Sequence, residues 1–283
     1  MSAGRLYVVS TPIGNMGDFS FRAVEVLKAV QLVLAEDTRH SRALLDRYGI
    51  ETRTSSYHEH NEAKTAPGFV RRLLDGEDIA LISDAGTPLL SDPGQRLVDA
   101  AIEAGVQVIP IPGASALLAA LVVSGLDATR FTYHGFLPRR GRERGSLLDE
   151  VASSRVTSVL YEAPSRVSDT LLELAERAPG RAAVVARELT KQFEEVRRGT
   201  LESLGAYYKD APPRGEVVLV VAGAPAAAMD ESALGEQAAE LRAKGMSVRD
   251  VAAELVKSGA PRNAAYRIAK DAVTDEGEGE DAR

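Results

Sequence analysis

The chain has 283 residues, of which 45% are hydrophobic and 5% aromatic. That is enough apolar material for one large or two medium α/β domains. It has no cysteine, which excludes disulfides and thiolate metal sites and fits a reducing compartment. Its net charge of -7 argues against a general nucleic-acid coat. No apolar run approaches the length of a membrane span, and the opening MSAGRLYVVSTPIG enters a strand with no charged-then-apolar leader, so a soluble cytoplasmic protein is expected.

Short apolar runs near Leu6–Ser10, Gln31–Ala35, Ile79–Ser83 and Gln107–Ile111 alternate with amphipathic helices near Phe21–Ala29, Arg39–Tyr48 and Gln95–Ala104. This alternation predicts a parallel sheet covered by helices over residues 1–112. PIPGASALLAALVVSGL then leaves a strand through Pro110, Pro112 and Gly113 and enters a small-residue helix from about Ser115, the expected junction. Strands near Phe131–His134, Thr157–Tyr161, Ala182–Arg187, Glu195–Gly199 and Glu216–Ala222, with helices near Ser165–Arg177 and Leu201–Tyr208, predict a second α/β domain over 113–224. Some connections there are too short for a parallel crossover, so its sheet is expected to be mixed.

A Pro/Ala-rich linker follows Val221. Three helical patterns over 230–273 come next, the last two joined at helix-turn-helix spacing through Ser258-Gly259-Ala260. Residues 242–270 carry seven Lys/Arg against two Asp/Glu, and the acidic stretch 274–283 reads as a disordered tail. Arg249, Lys257, Arg262, Arg267 and Lys270 are candidate phosphate contacts, as are Arg139, Arg140, Arg142 and Arg144 of RRGRERG. The alternatives are a small solvated bundle and a solvated loop.

Two aspartates follow the strand in ALISDAGTPLLSDPG. Asp92 reads as the cap of the next helix, with Pro93 at its first position and Gln95 closing a capping box. Asp84 sits where a buried strand ends, the edge at which open α/β sheets bind ligands, or else it is a turn aspartate bonded to its own backbone. The other obvious chemistries fail. STPIGNMGDF lacks the spacing of a dinucleotide fingerprint, there is no Walker lysine and no G-x-S-x-G elbow, and His58 and His60 lack a third metal ligand, so no metal is expected.

What remains is a series of small, polar strand-end loops. TPIGN, EDTR, HEHNE, SDAGTP, SDPG, PGASA, GFLP, YEAPSR, RELTK and RGEVVLVV together closely resemble the tetrapyrrole methylase superfamily, the class III S-adenosylmethionine methyltransferases. The likeness is greatest to its bacterial branch acting on small-subunit ribosomal RNA. The resemblance implies two α/β domains with the S-adenosylmethionine cleft between them, with the C-terminal helices as a third module. It also implies 2'-O-methylation of a cytidine in the decoding region of 16S ribosomal RNA within the small ribosomal subunit, and a homodimer. Asp84, Ala85, Gly86, Thr87, Ser115 and Ala116 would line the donor pocket, with Thr11, Pro12, Tyr161 and Leu189 on neighbouring loops.

A ribose hydroxyl needs help to lose its proton. Glu188 and Lys191 are the residues expected to provide it, with structural ion pairing as the alternative. Two other functions stay open: a tetrapyrrole or corrin precursor methyltransferase of the same fold, and a non-enzymatic nucleic-acid regulator resting on the helix-turn-helix unit.

Overall fold

Leu32–Ala35 and Ile79–Ile82 become strands because each is short, continuous and buried on both faces, the pattern of the centre of a parallel sheet. In the computed structural model, which describes residues 2–225 and 231–272, β1 (Arg5–Val9), α1 (Phe21–Ala29), β2 (Leu32–Ala35), α2 (Thr38–Arg47), β3 (Thr54–Ser56), α3 (Glu62–Leu74), β4 (Ile79–Ile82), α4 (Gln95–Glu103) and β5 (Gln107–Ile111) follow in turn. The strands form a parallel five-stranded sheet in the order β3-β2-β4-β1-β5. Alternate residues of β2 and β4 feed two cores. Val33, Ala35, Ala80 and Ile82 pack with Leu27 and Leu45, whereas Leu32, Leu34, Ile79 and Leu81 pack with Leu73 and Leu97 on the other face.

The second sheet is built from β6 (Phe131–Phe136), β7 (Thr157–Glu162), β8 (Ala182–Arg187), β9 (Glu195–Thr200) and β10 (Val217–Val221). Its order is β6-β7-β10-β8-β9, with β6 parallel to β7 and the other pairs antiparallel, so it is mixed. The helix α5 (Ala116–Ser124) covers one face, where Leu117, Ala120 and Leu121 meet Val159, Val184 and Val220. On the other face lie α6 (Arg142–Ser153), α7 (Val167–Arg177) and α8 (Leu201–Asp210), whose Leu148, Leu171 and Leu204 pack on Leu160, Val185 and Leu219. Both sheets belong to one compact unit ending at Ala224, so the junction near residue 112 is a change of sheet within it.

The remainder forms a separate unit from Pro225. It contains α9 (Glu231–Ala243), α10 (Val248–Lys257) and α11 (Arg262–Asp271) around Ala238, Val251, Leu255, Ala265 and Ile268. Ser247 caps α10: its hydroxyl accepts from the Asp250 N–H at 3.2 Å and donates to the Asp250 carboxylate at 2.7 Å. The tail 274–283 lies outside the described residues.

Two segments differ from the expectation. The stretch between Glu51 and Glu77 holds β3 and α3, although β3 is a polar TSS and α3 carries Pro67. RRGRERG is not a loop throughout, because Arg142 opens α6.

Candidate active site

The carboxyl ends of β1 and β4 are neighbours, and the loops that leave them are tied together. Thr11 and Gly86 exchange backbone hydrogen bonds of 2.8 and 3.1 Å, and the Thr11 hydroxyl donates to the Ser83 carbonyl at 3.2 Å. Gly86 has φ +81°, and a Cβ there would stand 3.3 Å from Ile13, so glycine keeps this turn open. Loops of the second sheet close over the first. The Thr190 hydroxyl accepts from the Asn15 N–H at 3.0 Å, and a Cβ on Gly14 would lie 2.4 Å from the Lys191 side chain.

Between the sheets lies a cavity of about 370 Å³, the size of a small-molecule site. Asp84, Ala85, Gly86, Thr87, Ser115, Ala116 and Tyr161 line it, so the structure brings together seven of the residues expected around the donor. Pro12 faces an adjoining pocket of about 440 Å³. Thr11 and Leu189 are buried in the supporting structure and belong to neither wall. The two pockets share Ile13, Asp84, Ala85 and Glu216, and the second also meets Arg39, His40 and Lys191.

Each wall of the cavity has its own chemistry. Phe136 and Tyr161 supply aromatic surface, their ring centroids 5.5 Å apart, with Tyr133 packed 5.2 Å from Tyr161. Burial holds the Tyr161 phenol neutral by raising its pKa. At the start of α5, Ser115 makes no side-chain cap bond and its buried hydroxyl has no partner, which leaves the first N–H groups of the helix uncapped by a side chain. Asp84 is also a structural joint, since its carboxylate accepts from the Asp37 N–H at 3.1 Å.

The cap assigned to Asp92 is corrected by the structure. The cap residue of α4 is Gly94, at φ +136°, whose carbonyl accepts from Leu97 and Val98. This turn sets Asp92 before the helix and in the cavity wall. The backbone leading to it is strained, with Leu89 at φ +74° and Ser91 at φ +68°, and the Ser91 and Tyr133 hydroxyls are hydrogen-bonded at 2.7 Å. Sequence reasoning missed Asp92, Glu216 and Phe136 as cavity residues. For Asp92 the signal was present, because a second aspartate follows the same strand.

Glu188 and Lys191 have a different arrangement from that of a proton acceptor. The Lys191 ammonium donates to the Glu188 carboxylate at 2.9 Å and to Glu216 at 3.1 Å, while Glu188 also accepts from the Glu216 N–H at 3.0 Å. The Lys191 hydrogen bond depresses the Glu188 pKa. Burial works against the Lys191 charge, but its bonds to Glu188 and Glu216 outweigh this and raise its pKa. Both residues stay charged, and the group clamps the loop after β8 to the start of β10.

The basic candidates divide. Arg144 is corrected outright: it is buried, and its guanidinium donates to Glu173 at 2.9 Å, to the Thr170 hydroxyl at 3.0 Å and to the Pro138 carbonyl at 3.2 Å. Arg139, Arg140 and Arg142 are exposed. In the C-terminal unit Lys257 pairs with Glu254 and Arg267 with Glu231, each at 2.6 Å, which balances both charges locally; Arg249, Arg262 and Lys270 are exposed. His58 and His60 lie with ring centroids 6.0 Å apart, and among the described residues no group of three or more His, Asp or Glu could hold a metal ion. Nor, among those residues, is any helix long and apolar enough to cross a membrane.

The sequence of residues 5–205 matches the family model of the Tetrapyrrole (Corrin/Porphyrin) Methylases. The chain belongs to this family of methyltransferases. Among solved structures, diphthine synthase shares the fold with TM-score 0.61 at 18% identity, covering 77% of this chain and 90% of that one. Uroporphyrin-III-C-methyltransferase from Thermus thermophilus does so with TM-score 0.55 at 20% identity, covering 77% and 94%. Relatives at higher identity include proteins named Ribosomal RNA small subunit methyltransferase I. That of Mesorhizobium japonicum is 45% identical over 97% of this chain and 94% of its own, and that of Synechocystis sp. 44% identical over 96% and 99%.

Proposed function

We propose that this chain transfers a methyl group from S-adenosylmethionine to the 2'-hydroxyl of a cytidine in 16S ribosomal RNA of the small subunit, as a cytoplasmic homodimer. The carrying observation is the cavity between the sheets, whose residues fit the donor part by part. The uncapped start of α5 with the unpartnered Ser115 hydroxyl suits a carboxylate. The Phe136 and Tyr161 surface suits the adenine ring, and Asp84 suits the ammonium or the sugar hydroxyls. When bound, the donor supplies an electrophilic methyl group.

The protein's own residues do the rest. Thr11, Gly86 and the bridge between them hold the floor of the cleft, and the Glu188–Lys191–Glu216 clamp fixes the loops above it. The adjoining pocket, with Arg39, His40 and Lys191, is where a nucleotide would enter, since it shares Asp84 and Glu216 with the donor cavity. Positioning of this kind supplies much of the rate of a group transfer. Arg139, Arg140 and Arg142, with Arg249, Arg262 and Lys270 of the C-terminal unit, would hold phosphates outside the cleft. The names of the relatives support an RNA acceptor.

Incubation with methyl-labelled S-adenosylmethionine and either 30S subunits or a free tetrapyrrole tests the proposal. Label is expected in the RNA, on a ribose oxygen of one cytidine. Label in the tetrapyrrole, or in neither, overturns it. Sedimentation at micromolar concentration is expected to give twice the chain mass of 30.2 kDa.

A further inference from the structure

Four carboxylates stand in the wall of the cavity, and three are already occupied. Glu162 is fully buried and bonded to Arg166 at 2.5 Å and to the Thr170 hydroxyl at 2.7 Å. Glu216 holds Lys191 at 3.1 Å, and Asp84 holds the Asp37 N–H at 3.1 Å. Asp92 has no ion pair among the described residues, and its polar partner is the Ser83 hydroxyl. It is held in place by the strained Leu89–Ser91 turn and the Ser91–Tyr133 hydrogen bond, in the cavity wall that Asp84 and Glu216 also line.

We propose that Asp92 is the proton acceptor of methyl transfer. The inference rests on the reading above, that the cavity holds S-adenosylmethionine and a ribose hydroxyl enters beside it. The hydroxyl oxygen forms its bond to the methyl carbon as the bond from carbon to sulfur breaks, and that bonding pair remains on sulfur as a neutral thioether. The hydroxyl proton passes to the Asp92 carboxylate. The resulting carboxylic acid loses its proton to solvent after the products leave.

The groups facing Asp92 suit it to this work. Glu36 approaches from the end of β2, Asp84 from the loop after β4 and Glu216 from the start of β10, while Tyr133 on β6 and Tyr161 on β7 are neutral phenols. Burial, repulsion from Glu36, and then Asp84 and Glu216, against the opposing Ser83 hydrogen bond, push the Asp92 carboxyl up to about 7. A base is most effective when its pKa lies near the working pH. Glu188 and Lys191 hold their charges in the clamp and lack this property.

Two measurements test the assignment. Single-turnover methylation of 30S subunits from pH 5.5 to 8.5, at saturating donor, is expected to rise through pH 7 in the wild type. Asp92→Asn should lower the rate by roughly 10²- to 10⁴-fold, the range of general-base contributions, and abolish the rise, while Asp92→Glu keeps a rise and part of the rate. In the ligand-free protein, NMR of ¹³C-labelled aspartate carboxyls should show one resonance that titrates near pH 7 and is missing from Asp92→Asn. The assignment is overturned if Asp92→Asn methylates within threefold of the wild type, if the rise through pH 7 survives in it, or if the Asp92 resonance titrates below about pH 5. A wild type that methylates no 30S RNA overturns the functional reading itself, and the Asp92 assignment falls with it.

Discussion

Replacing Arg144 by alanine separates a folding role from a nucleic-acid role. Its guanidinium makes two hydrogen bonds to Glu173, one to Thr170 and one to the Pro138 carbonyl, with the Glu162 carboxylate 3.9 Å away. Removing one partner of a buried ionic group typically costs about 3–5 kcal/mol, because the other charge is left uncompensated. Here the loss should be smaller, roughly 2–3 kcal/mol, because Glu162 keeps Arg166 and the half-exposed Glu173 can rehydrate. With a urea slope of about 2–3 kcal/mol/M, the unfolding midpoint should fall by about 1 M. The chain has no tryptophan, and its tyrosines other than Tyr266 all lie before residue 225, so near-ultraviolet dichroism follows the two-sheet unit selectively. Arg139→Ala and Arg140→Ala should leave the midpoint unchanged and instead reduce the salt dependence of RNA binding, by roughly 0.7–0.9 in log–log slope per contact. A stable Arg144→Ala protein with a reduced salt slope would refute the argument.

Asp92→Asn should also alter stability with pH. The folded pKa of Asp92 is raised, so its cost is absent below the ordinary carboxylate range and grows as pH rises towards 7. The whole shift corresponds to about 4 kcal/mol, and partial exposure to solvent reduces this to roughly 1–2. The variant's gain in melting temperature should therefore be larger at pH 8 than at pH 4, and equal gains would contradict it. Gly86→Ala places a side chain at φ +81° against Ile13 and should destabilise the protein by roughly 1–3 kcal/mol while weakening donor binding in calorimetry; unchanged affinity would remove this turn from the donor site. Truncation after Ala224 should retain donor affinity and lose RNA affinity, and a truncated chain that binds 30S subunits with the full salt slope would show that the C-terminal unit is no RNA anchor.

The fold was legible wherever local pattern and burial agreed. β2 and β4 are wholly apolar because they lie between two cores, and continuous runs of that kind leave few alternatives. α3 was missed because Pro67 interrupts a stripe, Ala66, Phe69, Val70 and Leu73, that otherwise repeats at helical spacing. Asp92 was misread because a capping pattern is satisfied locally by Asp-Pro-Gly-Gln, whereas the turn at Gly94 is imposed by packing: a Cβ there would stand 2.7 Å from Leu81. Arg144 looked like its neighbours in RRGRERG, and what distinguishes it, Glu173 on α7, lies 29 residues further along the chain. The small, polar strand-end loops that line the cavity were recognisable as a set, since small residues at strand ends carry a backbone requirement. The character of Asp92 was not, because it depends on Glu36 and Glu216, brought from other strands, as well as on Asp84 of its own loop.

The Asn15–Thr190 hydrogen bond that helps close the cleft joins residues 175 apart in sequence. Cavity walls come from Ile13 at one extreme and Val218 at the other. Such long-range contacts form late, because the entropy of closing the loop must be met before they stabilise anything. A nascent chain that has completed only the parallel sheet therefore owns the Thr11–Gly86 floor but not the cavity between the sheets. On the proposed reading, a site for the methyl donor is complete only when β10 has emerged and paired, because residues 215–218 form part of its wall.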